Sequence, residues 1–161
     1  MVLRYCKITV VSCVAVLLGA IALNNIFNYD INFSYVEHVL NMKALPTLAP
    51  HWRAFHSPLA HHAVYLLIIV AEMVAAILCL GGATDLYKIR HGSNEQFANA
   101  KSWALIGLTI GFVLFTTGFI TIGGEWFYLW LAPAPWSGAL NAATRLLVID
   151  SAALVFLTLP D

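Results

Sequence analysis

From Ala63 to Leu80 every residue except Glu72 is apolar or the amphipathic Tyr65. Roughly 20 apolar residues cross the hydrocarbon core of a bilayer as a helix. The run follows Ser57-Pro58, a capping residue and a proline where the first helical turn tolerates one. It therefore predicts a membrane span with a carboxyl group near its middle. An acid at that depth costs about 3 kcal/mol or more on insertion, so it is expected to face inward and to be partnered.

The rest of the composition belongs with that span. Of 161 residues, 61% are hydrophobic and 10% charged, against about 25% charged in a soluble domain. The formal net charge is zero, which excludes the basic footprint of a nucleic-acid binder. Cys6, Cys13 and Cys79 show no Cys-x-x-Cys spacing and read as apolar fillers.

Taken in order, the chain predicts one all-α domain, a four-helix transmembrane bundle with short amphipathic helices capping its outer face. The spans fall at about 8–26, 60–81, 102–122 and 141–159. Outer segments cover 27–57 and 123–140, and a cytoplasmic loop covers 82–101. The first apolar run follows Arg4 and Lys7 and could be a signal peptide, with Ala20-Ile21-Ala22 as the cleavage site. A retained helix closes the bundle, with Ala15 and Gly19 as a small-residue edge. In the first outer segment, Ser34-x-x-Glu37 resembles a capping box opening an amphipathic helix over Tyr35–Met42. Leu45–Phe55 reads as an irregular lid.

Gly81-Gly82 follows the second span, and Ser93-x-x-Gln96 is a second capping-box pattern, opening the third helix. Gly107, Gly111 and Gly118 share a face of that helix, for packing within the chain or along a homodimer seam. Gly123-Gly124 is expected to break it. Trp126, Tyr128, Trp130 and Trp136 suit the headgroup level. Asn141 is a candidate cap for the last span, which carries Arg145 and Asp150. Arg4, Lys7, Lys88, Arg90 and Lys101 collect on one side of the membrane, against Lys43, Arg53 and the membrane-edge Arg145. The positive-inside rule then places both termini in the cytoplasm.

Three sets of residues could carry function. Counting about 1.5 Å per residue, Glu72 and Asp150 fall at similar depth, with Arg145 above them. A Glu72–Arg145–Asp150 cluster would serve either as polar glue between helices or in handling protons or a ligand. The second set is an outer-face lid: His38, Trp52, Arg53, His61, His62, Glu125 and Trp126, with Arg53–Glu125 as the natural ion pair. The third is the glycine face. Five histidines (His38, His51, His56, His61 and His62) lie on the outer side, but their spacing matches no closed zinc motif. They read as interfacial side chains bonded to loop carbonyls. Only His61 and His62 lie near a span, and they share it, so a haem bridging two spans of this chain is not expected. No cofactor or metal is expected.

Several segments resemble a bacterial family of predicted small integral membrane proteins with no assigned function. They are Asn24-Asn25, Asn32-Phe33, Val36-x-His38-Val39-Leu40-x-Met42, Trp52-Arg53-Ala54, His61-His62-x-x-Tyr65, Glu72, Gly123-Gly124-Glu125-Trp126-Phe127 and Arg145. The chain departs from the pattern at Lys43-Ala44, where an acid and a threonine are expected. The resemblance implies four transmembrane helices and an inner-membrane location, and it supplies no catalytic residue. The chain shows neither a nucleophile–base motif nor a phosphate loop. The expected role is a non-enzymatic accessory or scaffold subunit, or a binding module, of an inner-membrane complex. Its expected partners are the lipid bilayer and another membrane protein or a second copy, and not nucleic acid. The alternatives are a small transport or proton-handling protein using Glu72 and Asp150, or a quinone- or haem-associated anchor.

Overall fold

The structure is a computed structural model describing residues 1–43, 45–46 and 49–160. It is all-α, with no strand among the described residues. The α-helices are α1 (Val2–Phe27), α2 (Tyr29–Leu40), α3 (Pro58–Lys88), α4 (Asn94–Asn99), α5 (Ser102–Val113) and α6 (Gly138–Thr158). A π-helix, Leu114–Trp126, continues α5. Four segments are long and apolar enough to cross a membrane: Val2–Phe27, Pro58–Lys88, Asn94–Trp126 and Gly138–Thr158. In the bundle α1 packs on α3, α3 on α5, and α6 on both α5 and the π-helix.

The inner stripe of α3 explains the arrangement. Tyr65, Ile69, Glu72, Ala76, Cys79, Ala83 and Leu86 are buried at steps of three or four, so the acid lies in register with the core. Leu66, Leu67, Val70, Val74 and Ile77 stay exposed on the same helix. Outward apolar side chains are what hydrocarbon solvates. Ser57 Oγ accepts the Ala60 amide with Pro58 in the first turn, as its sequence indicates.

Small residues set the approach of α5. A Cβ added at Gly82 would lie 2.4 Å from the Ala104 nitrogen, and one at Gly107 would lie 2.8 Å from the Ala75 carbonyl oxygen. Gly81-Gly82 therefore does not end the second span. The pair lies inside α3, where close backbone contact with α5 needs Gly82, while Gly81 faces open space. Gly107 and Gly111 are spent within the chain, whereas a Cβ at Gly118 would meet only Leu114 Cδ1, at 3.6 Å. Gly123-Gly124 does not break its helix either. Both glycines are buried within the π-helix, and Gly124 faces Leu140 of α6.

The first capping pattern also resolves differently. Ser34 lies inside α2 and donates to the Ile31 carbonyl, and α2 begins at Tyr29. Only Asn28 separates it from α1. Asn25 meets Glu72, Tyr29 meets Tyr65 and Phe33 stacks on His62. The partners follow in the same order along α3, from Glu72 through Tyr65 to His62, so α2 runs on along α3 from the end of α1. By contrast, Ser93 and Gln96 form a complete capping box at α4. The last helix starts at Gly138, which leaves Asn141 within its first turn.

At one end of the bundle Arg4 donates to the carbonyls of Arg90 and Gly92 and to Asn94 Oδ1, and its guanidinium lies 4.7 Å from the Phe97 ring centroid. Lys7 donates to Leu159 O and, at 3.3 Å, to Pro160 O, while Lys101 reaches Leu159 O at 3.4 Å. Both ends of the described chain and the loop between α3 and α4 thus meet at one end.

Candidate functional site

Toward the opposite end five helices line a cavity of about 320 Å³ that opens to the surface of the bundle. It is lined by Ile21 and Asn25 of α1, by Asn32, Tyr35 and Val36 of α2, and by Tyr65, Ile68 and Glu72 of α3. Phe115 and Phe119 of the π-helix and Gly138, Ala139, Ala142, Ala143 and Leu146 of α6 complete it. The small residues of α6 leave the space, and the aromatic rings wall it. The π-helix, a rare conformation often found at functional positions, brings in both phenylalanines.

Glu72 is 2% exposed. Its Oε2 accepts from Asn25 Nδ2 at 2.7 Å, and the Asn25 carbonyl accepts from the Tyr65 hydroxyl at 2.9 Å. Glu72 Oε1 has no hydrogen-bond partner among the described residues. Nearby, Asn32 Nδ2 is buried without an acceptor, although Asn32 lies beside the Tyr65 hydroxyl. The cavity thus has an apolar body and one polar end.

The expected Glu72–Arg145–Asp150 cluster is not formed. Arg145 is exposed on α6. At about 100° per residue, residues five apart on a helix point about 140° apart, so Arg145 turns away when Asp150 turns inward. Asp150 is 1% exposed and lies against Gly111, where an added Cβ would be 3.2 Å from both carboxylate oxygens. Among the described residues its oxygens make no side-chain hydrogen bond, the Phe112 backbone amide being the polar group beside them, and Asp150 does not line the cavity. Asn25, the partner of Glu72, was missed by sequence reasoning. Its signal was the stripe Asn25, Tyr29, Phe33, which marks a helix running on past the first span.

The lid residues come together differently from the expectation. Arg53 Nη1 donates to the Trp126 carbonyl at 3.0 Å, and its guanidinium lies 5.1, 4.5 and 5.1 Å from the ring centroids of Trp52, Trp126 and Tyr128. Glu125 is exposed and forms no ion pair with it. The two outer segments do meet, because Phe127 packs with Leu40, Met42 and Ala49. His38 Nδ1 donates to the Ser34 carbonyl, and its ring stacks on Trp136 at 3.7 Å. His51 bonds the Pro46 carbonyl, His61 the Phe55 carbonyl, and His62 the Tyr29 hydroxyl. Among the described residues no three His, Cys, Asp or Glu side chains are grouped to hold a metal ion.

Four long apolar helices, a buried intramembrane acid and lipid-suited outer faces define a multi-pass α-helical integral membrane protein. Residues 3–160 match the model of the family described as predicted small integral membrane protein (DUF2165), and the chain belongs to that family. No curated protein and no solved structure matches it.

Proposed function

We propose that this protein is a non-enzymatic binding module of the bacterial inner membrane, with both termini cytoplasmic and the cavity beside Glu72 as its ligand site. The observation that carries the reading is the joining of an apolar volume to a buried, half-partnered carboxyl group. Small-molecule sites are concave and mostly apolar, with a few convergent polar groups, at about 300–1,000 Å³. A bundle that needed Glu72 only as glue would leave less space beside it. Native mass spectrometry of the protein purified in gentle detergent tests the reading. The wild type is expected to carry a discrete small-molecule adduct, and Ala142→Phe, which fills the cavity, is expected to lose it. An adduct that survives the filling sinks the proposal. In an accessory-subunit version of the same role, the ligand-loaded module would dock on another membrane protein, and co-purification from membranes would identify it.

A second reading, proton handling, is favoured by one observation. Both carboxyl oxygens of Asp150 are buried with no side-chain partner among the described residues, beside the Phe112 backbone amide. Proteoliposomes with an internal pH dye test it, since Asp150→Asn should abolish any proton flux that the wild type carries.

A further inference from the structure

We infer that the cavity selects an amphiphile with a cationic amine head, seated between the free oxygen of Glu72 and the surrounding aromatic rings. The inference rests on the binding-module reading above and adds the chemistry of the ligand. Glu72 is the one acidic side chain among the described residues lining the cavity, which hold no Lys, Arg or His. Arg145, the nearest cation expected from sequence, is exposed on α6 instead. The carboxyl group is therefore not neutralised by an ion pair. It has one hydrogen bond, from Asn25 to Oε2, and Oε1 is left to accept another.

Charge complementarity then decides among head groups. A carboxylate or phosphate head would place an anionic group beside the Glu72 carboxyl with no cation lining the cavity to pair with it. A neutral hydroxyl could donate one hydrogen bond but supplies no positive charge to pair with the carboxyl group. An ammonium group donates up to three hydrogen bonds, and the acceptors for them are Glu72 Oε1 and the side-chain oxygens of Asn25 and Asn32. Rings of Tyr35, Tyr65, Phe115 and Phe119 also line the volume, and aromatic faces attract cations more strongly where water is excluded. The apolar remainder of the cavity suits a short hydrocarbon or aryl body.

The test uses the full chain in detergent and three water-soluble probes with the same body: 2-phenylethylamine, 2-phenylethanol and 3-phenylpropanoate. Binding is read by saturation-transfer NMR and by the shift in melting temperature. The wild type is expected to bind the amine at least tenfold more tightly than the alcohol, and the carboxylate least of all. Glu72→Gln is expected to erase the preference while still binding the alcohol, which shows that the variant is folded. Ala142→Phe is expected to bind none of the three. Alcohol bound as tightly as amine overturns the inference and leaves the cavity reading standing. Preference for the amine that survives Glu72→Gln also overturns it. A wild type that saturates with none of the probes overturns both.

Discussion

Asn25 and Glu72, 47 positions apart in the chain, share a 2.7 Å hydrogen bond that ties the outer end of α1 to the middle of α3. The bond lies at the polar end of the cavity, so the same contact sets how two helices pack and which oxygen of Glu72 is left to accept a ligand. Because Glu72 is buried, removing its partner costs more than the bond alone is worth.

Asn25→Leu is therefore expected to destabilise the protein by about 1–3 kcal/mol, the cost of leaving a buried polar group unsatisfied. The double variant Asn25→Leu with Glu72→Leu should recover part of that loss, since replacing both partners by apolar groups can be nearly neutral. Thermal unfolding in detergent measures both. Additive losses in the double variant would show that the two side chains are not coupled.

The glycines should separate by position. Gly82→Ala and Gly107→Ala drive a methyl group into backbone of the neighbouring helix, at a cost of about 1–3 kcal/mol for overpacking. Gly118→Ala meets one flexible leucine methyl group and should be neutral. Melting temperatures of the three variants check this ranking, and a Gly118→Ala loss as large as the others would point to a seam with a second copy.

Arg53→Ala should loosen the outer segments, whereas Glu125→Gln should leave them unchanged. Arg53 meets the Trp126 carbonyl and three aromatic rings, and Glu125 points outward. Emission from Trp52 and Trp126, which stand edge to face at 6.2 Å, reports the change. A double-mutant cycle between Arg53 and Glu125 should give a coupling near zero, and a coupling comparable with the Arg53→Ala effect would restore the ion pair.

Reporter fusions after Arg90 and after Asp161 should read cytoplasmic, and fusions near Ala49 and Pro135 external. Arg4 and Lys7 bind the α3–α4 loop and the end of the last helix, so these segments share one end of the bundle. The excess of Lys and Arg there is the topological signal. A cytoplasmic signal at Ala49 would overturn the arrangement of four spans.

Much of this was determined locally and was legible in the sequence. Ser57-Pro58 and Ser93-x-x-Gln96 start helices through bonds within one turn, and apolar runs of bilayer length form spans wherever they occur. Glu72 had to turn inward because hydrocarbon offers a carboxyl group no partner. Which partner it took was decided by tertiary structure. Asn25 reaches Glu72 because α1 and α2 continue together along α3, and the Ser34-x-x-Glu37 pattern pointed to a helix start that the packing overrides. Gly82 read as lying past the end of its span and Gly107 as a possible dimer seam, until the backbone approach of α5 gave them a use. The cavity itself was invisible in the sequence, because a void belongs to no segment. It is what remains where the small residues of α6 face the phenylalanines of the π-helix, and only the rotation and spacing of five helices fix its size and set Glu72 at its polar end.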